Sequence, residues 1–289
     1  MERVWQELSR VPLVLTEILL GFALFWVGQF AYQQLFRRME LNLQLFVRDN
    51  VAVAIALVGY YLGIIIALGG VLERFKFASG WLDILLNLVG YGVMTILMML
   101  GSAWVCDRAI LRRCDCAREI EEEHNLGAAS LEAGCHVASG LILSSAIAGT
   151  TGTVWVSLVC WLLGLAALIL ASLAYPRIAA YDVFGEIQKR NNPAAGVAFA
   201  GLLIAVGNVI RVAFLPEFEN WAVSFTIYAL ALPFGLMLLV GIRWLADLIL
   251  VPGVKISDEI VRQEVPNLGA GLVEAFAYIA GSFLVAWSF

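Results

Sequence analysis

Charge is what this sequence has least of. Asp, Glu, Lys and Arg make up 14% of its 289 residues, against 62% hydrophobic residues, and there are two histidines. A soluble domain of ordinary composition is about a quarter charged and about half apolar, so most of this chain belongs in lipid. The formal net charge of −5 then says little about partners. The bilayer itself is the first expected partner, and nucleic acid is not expected.

Signatures of enzymes are missing too. There is no Walker A loop, no His-Glu-x-x-His, no strand-turn-helix glycine fingerprint and no Ser elbow, and the two histidines lie twelve residues apart at His124 and His136. Loops of about 15 to 20 residues cannot fold into a catalytic domain of their own. We therefore expect neither enzyme activity nor a cofactor. The five cysteines do not form a secreted-protein framework. Cys106, Cys114 and Cys116 lie in or beside one loop with His124 nearby, but their spacing matches no strong zinc pattern and has no counterpart in the second half. They read as reduced thiols, and no metal is expected.

What the chain has is long apolar runs. Eight of them, each long enough to cross a hydrocarbon core of roughly 30 Å, fall at about 11–35, 51–72, 81–106, 126–149, 153–175, 194–215, 221–246 and 268–288. The first is too long for a signal-peptide core and lacks a small-residue cleavage site, so it reads as a retained helix. The loops after the first, third, fifth and seventh spans, with the adjoining helix ends, hold thirteen basic residues: Arg37, Arg38, Arg48, Arg108, Arg112, Arg113, Arg118, Arg177, Lys189, Arg190, Arg243, Lys255 and Arg262. The other side holds five, Arg3, Arg10, Arg74, Lys76 and Arg211. The positive-inside rule puts the first group in the cytoplasm and both termini outside.

The runs are duplicated. At a shift of 142 residues, "RDNVAVAIALVGYYLG" from Arg48 lies over "RNNPAAGVAFAGLLIA" from Arg190, and "NLGAASLEAGCHVA" from Asn125 over "NLGAGLVEAFAYIA" from Asn267. At a shift of 140, Trp81, Gly101, Trp104 and Asp107 meet Trp221, Gly241, Trp244 and Asp247. The fold class is thus all-α: a polytopic membrane protein of eight transmembrane helices, arranged as two four-helix repeats at 1–149 and 150–289. Each repeat crosses an even number of times, so the two run in parallel about an axis along the membrane normal.

A finer repeat lies inside each half. Asn50 to Asn125 and Asn192 to Asn267 are both 75 residues, and each Asn opens an even-numbered span on the expected cytoplasmic side. Asn is a good helix N-cap, and Pro193 after Asn192 suits the first helical position. The four read as N-caps, with a second possibility that four positive helix ends converge on an anion-attracting vestibule.

An Asn-led, small-residue-rich helix, paired with a second one after a cytoplasmic loop, resembles the YjfL-type family of bacterial inner-membrane proteins, a domain family of unknown function. Two tandem copies would span nearly the whole chain, carried by "DNVAVAIALVG", "NLGAASLEAG", "NNPAAGVAFAG" and "NLGAGLVEAF". The resemblance implies a bacterial inner-membrane location and gene company with membrane-stress factors; it implies no activity.

Two helix faces stand out. In the second span Ala52, Ala56, Gly59, Gly63, Ala67 and Gly70 share one face, repeated in part by Ala194, Ala198, Gly201 and Ala205 of the sixth, which reads as a packing seam. In the fourth, Asn125, Glu132, His136 and Ser139 share another face, and the eighth repeats it with Asn267, Glu274 and Tyr278. Seven residues at 1.5 Å each put both glutamates roughly 10 Å in from the helix ends. A charge at such depth is disfavoured by about 2.5 to 3.5 kcal/mol at the bilayer centre and needs a reason. Either each Glu ties helices together, to the Trp104 or Trp244 indoles, to Arg243 or to backbone ends, or Glu132 and Glu274, with His136 and Tyr278 beside them, form a protonatable or cation-coordinating pair. Asp107 and Asp247 follow Trp104 and Trp244 by three residues at the interface, where Trp anchors and Asp pairs with Arg. Glu17, Asp83, Asn87 and Asn208 have no counterpart in the other half, and Arg211 reads as snorkelling.

The leading expectation is a small channel or proton-linked transporter of the inner membrane. The runner-up is a scaffold whose loops, especially "CDCAREIEEEH" from Cys114, recruit a stress-response protein. Homo-oligomers through the small-residue stripes are a further possibility unless the bundle consumes those stripes.

Overall fold

The structure is a computed structural model describing residues 2–36, 40–75, 81–112, 114–149, 153–179, 181–250 and 252–288. Arg37, Arg38, Lys76 and Arg113 of the charge argument lie outside the described residues, as do the side chains of Arg3, Arg10, Trp81 and Asp83. Eight long helices carry the apolar runs: α1 (Glu2–Phe36), α2 (Val51–Phe75), α3 (Trp81–Ala109), α5 (Leu126–Ala148), α6 (Val154–Ile178), α8 (Pro193–Phe214), α9 (Trp221–Ile249) and α11 (Leu268–Ser288). All eight are long and apolar enough to span a bilayer, and no strand occurs among the described residues. Between them lie a π-helical turn (Leu43–Val47) and three short helices, α4 (Cys116–Glu121), α7 (Val183–Lys189) and α10 (Ile256–Val261).

The long helices form two layers. The inner row runs α2, α5, α8, α11, each packed on the next; in the outer layer α3 lies on α2 and α5, α6 on α5 and α8, and α9 on α8 and α11, while α1 lies on α2 and α3. The molecule is therefore four successive two-helix units, each an outer helix, a short turn or helix, and an Asn-capped inner helix.

Small residues set the spacing of the row. A methyl group on Gly59 would collide with Ala133, one on Gly134 with Ala200, and one on Gly201 with Ala275. Gly59, Gly134 and Gly201 each stand nine residues after the Asn of their helix, and Ala133, Ala200 and Ala275 each stand eight after theirs. The same backbone contact is thus made three times. In lipid, where apolar surface gains nothing by leaving the solvent, close backbone approach of this kind is a main source of helix association. The stripe Ala52 to Gly70 is buried in this contact, so the small residues are consumed within the bundle.

The row ends where the pattern changes. Eight residues after Asn50 stands Val58, and nine after Asn267 stands Phe276, 51% and 60% exposed. These bulky side chains occupy the places of Ala and Gly, so neither end can accept another helix at the same distance.

Candidate functional site

All four asparagines are N-caps. Their Oδ1 atoms accept from Val53 N, Ala128 N, Ala195 N and Ala270 N at 3.1 to 3.3 Å. Each cap is also part of a tie the sequence reading missed. Nδ2 donates back to an acidic or amide side chain of its own unit, Gln44, Glu119, Glu186 or Glu259. In the first three it also donates forward to a backbone carbonyl of the following unit: Asn50 to Ile120 (3.0 Å), Asn125 to Ile187 (2.7 Å), Asn192 to Ile260 (2.9 Å). The backbone turns into three caps through left-handed residues, Asp49, His124 and Asn191, each directly before its Asn. A signal was present: the dipeptide Glu-Ile recurs at 119–120, 186–187 and 259–260, five to eight residues ahead of an Asn. Asn50, Asn125 and Asn192 are buried and only Asn267 is exposed. The capping reading of the four asparagines is what the geometry shows, and three of the helix ends also carry side-chain ties to the next unit.

Glu132 and Glu274 are both buried, one in α5 and one in α11, with α8 packed between those helices. They line separate cavities that share no residue. In the first, of about 190 Å³, Glu132 and His136 meet Tyr32 and Phe36 of α1, Asp107 of α3 and Cys116 of α4. The Tyr32 hydroxyl donates to Glu132 Oε1 at 2.9 Å. The Tyr32 ring stacks on Tyr60 with centroids 3.8 Å apart, and His136 stands edge-on to both at 5.4 Å. Ser139, the last residue of the predicted seam, donates to Cys135 O and touches Cys106 Sγ.

The second cavity, of about 420 Å³, lies between α6, α8, α9 and α11. Arg243 of α9 reaches Glu274 Oε1 through Nε at 2.9 Å, Asp247 Oδ2 at 2.7 Å and Ser257 Oγ at 3.2 Å. At a shift of 140 Arg243 corresponds to Ala103, which lines the first cavity beside Asp107 and Glu132. Tyr278 lines the second cavity, as do Tyr175 and Tyr181, whose hydroxyls lie 3.5 Å apart. Burial first, and the Glu274 carboxylate next, raise the Tyr181 phenol above its ordinary pKa, so it stays a donor at physiological pH.

The two indoles do not tie the glutamates. Trp104 is 51% exposed with the Arg108 guanidinium over its ring, and Trp244 is 67% exposed at the edge of the second cavity. Asn208 donates to Ser282 and accepts from Arg211 Nε. All five cysteines are free and buried, and among the described residues no three His, Cys, Asp or Glu side chains come together as metal ligands.

Most of the chain aligns with a relative of similar size. It is 25% identical over 271 residues, 91% of this chain and 96% of the relative, to a UPF0719 transmembrane protein of Aquifex aeolicus (strain VF5). No solved structure matches. Residues 6–147 and 150–289 each match a domain of unknown function, DUF350, so the multi-pass membrane chain built from four Asn-capped units belongs to that family as two tandem copies.

Proposed function

We propose that this protein is a small channel or proton-linked transporter of the bacterial inner membrane, with Glu132 and Glu274 as the titrating or ion-binding groups. One observation carries the reading. Seven residues after their Asn, the inner helices of units two and four have Glu132 and Glu274, whereas units one and three have Leu57 and Phe199, buried in the same row. The row is built equally well with an apolar residue at that position, so the carboxylates do more than hold it together. Each lies in a cavity at membrane depth, and intramembrane carboxylates commonly mark ion or proton paths. His136 and Tyr278, one turn on, are the groups placed to share or relay the proton. Orientation follows the basic residues: the Asn-bearing end faces the cytoplasm and both termini face the periplasm. Neither catalysis nor a cofactor is part of this reading.

The test is ion and proton flux into liposomes holding the purified protein, with Glu132→Gln, Glu274→Gln and the double variant, each checked for intact folding. Flux that vanishes in the folded double variant supports the reading. If no gradient drives flux above empty liposomes, the reading fails. The exposed surface of α4 and the turn after it, with Arg118, Glu122, Glu123 and His124, then becomes the place to seek a cytoplasmic stress-response partner.

A further inference from the structure

The second cavity differs from the first in ways that describe an occupant. Its volume of about 420 Å³ is that of a small organic molecule, and its upper walls are aliphatic, including Leu202, Val206, Leu236 and Leu239. Its floor is polar and its charges do not cancel. Arg243 supplies one positive charge, which Glu274 and Asp247 both engage. By formal charge, one negative charge is left over.

Aromatic side chains share the cavity lining with that charge. Tyr175, Tyr181, Tyr278 and Trp244 all line the cavity. Tyr278 is 6% exposed, and its hydroxyl makes no hydrogen bond among the described residues. Aromatic faces attract cations, most strongly when these are poorly hydrated. Aliphatic walls, four aromatic side chains in the lining, an excess of carboxylates over cations and a hydroxyl with spare capacity together select against anions and against small, strongly hydrated ions.

We infer that the cavity beside Glu274 and Arg243 binds a lipophilic monovalent cation, one with an apolar body and a single delocalised or alkylated positive charge. The inference deepens the transport reading by naming its substrate class, and rests on it only for the step of translocation; binding stands by itself. The cation lies against the aliphatic walls, with its charge toward Asp247 and the tyrosines. The first cavity, at about 190 Å³ less than half the volume, does not accommodate such a body.

The experiment is equilibrium dialysis of tetraphenylphosphonium against the purified full-length protein in detergent, with tetraphenylborate as a probe of the same shape and opposite charge. Wild-type protein is expected to bind the phosphonium and to bind the borate at least about tenfold more weakly. Asp247→Asn, at a partly exposed side chain, removes the leftover charge and is expected to weaken phosphonium binding at least about tenfold while the protein stays folded. Tyr278→Phe is expected to weaken binding of a protonated alkylamine, which can use the hydroxyl, more than that of the phosphonium, which cannot. Equal binding of both probes, no binding of the phosphonium, or an unchanged Asp247→Asn variant would overturn the inference. Binding without carboxylate-dependent flux sinks the transport reading alone, and such flux without phosphonium binding sinks this inference alone.

Discussion

Replacing Asn125 by Ala tests whether the inner row is held by inter-unit ties or merely by four well-capped helices. In the wild type, Asn125 Oδ1 caps α5 through Ala128 N, and Nδ2 donates to Glu119 Oε2, to the buried Ile187 carbonyl and to Asn191 Oδ1. Loss of a cap costs about 1 kcal/mol, and a buried carbonyl left without its donor costs about 1 to 3 kcal/mol more. Asn125→Ala should therefore destabilise by about 2 to 4 kcal/mol. Asn267 supplies the control: it caps α11 and binds Glu259, but it is exposed and makes no forward tie among the described residues, so Asn267→Ala should cost about 1 kcal/mol. Asn125→Asp sharpens the contrast. Asp caps as well as Asn, yet it would set a carboxylate against Glu119 and the Ile187 carbonyl, so it should be as damaging as Ala. Reversible unfolding by SDS titration in mixed micelles measures all three. Equal losses for Asn125→Ala and Asn267→Ala, or a silent Asn125→Asp, would refute the tie and leave capping alone.

Gly134→Val forces a branched side chain into the backbone of Ala200, and overpacking of a close contact should cost at least about 3 kcal/mol or prevent folding, read as loss of a monodisperse peak in detergent. Phe276→Ala, at the exposed end of the row, should change the same measurement by less than about 0.5 kcal/mol. Arg243→Ala leaves Glu274 buried without its cation and should cost about 3 to 5 kcal/mol; Glu274→Gln added to it should recover a large part, and no recovery would show that Arg243 acts by packing. Glu132→Leu, which copies Leu57 at the matching position, should stay within about 2 kcal/mol of wild type in stability while abolishing any carboxylate-dependent flux; a variant that fails to fold would make Glu132 a structural tie.

Much of this architecture could be read from the sequence because lipid makes hydropathy a strong signal. The eight spans and the four caps follow from run length and from Asn-led openings, and the Ala52-to-Gly70 stripe announces its own close contact. Span ends were less legible: α3 reaches Ala109 and α9 reaches Ile249, each three residues beyond its apolar run, because a helix continues until its last carbonyls find water or a cap. The short helices were hidden because α4, α7 and α10 have six or seven residues, too few for a periodicity, and are held by tertiary ties. At the sites, the carboxylates were legible as charges in an apolar run. Arg243 was among the ties the sequence offered for Glu274, but Tyr32, which donates to Glu132, and Tyr175, which lines the cavity of Glu274, were not legible, because each lies on an outer helix about 100 residues away and no pattern on α5 or α11 points to it.

The period of each feature separates what folds the chain from what else it does. The Asn cap recurs in every unit, the backbone contact at Gly and Ala recurs at every junction, and the forward tie to an Ile carbonyl recurs wherever a following unit exists. A feature with this one-unit period is what a row of four helices needs. The carboxylates have a two-unit period, and their cavities differ in lining: Ala103 and His136 line that of Glu132, whereas Arg243 and Tyr278 stand at the matching positions in that of Glu274. The glutamates recur at a position the other two units fill with Leu57 and Phe199, which sets them apart from the features every unit needs to pack in the row.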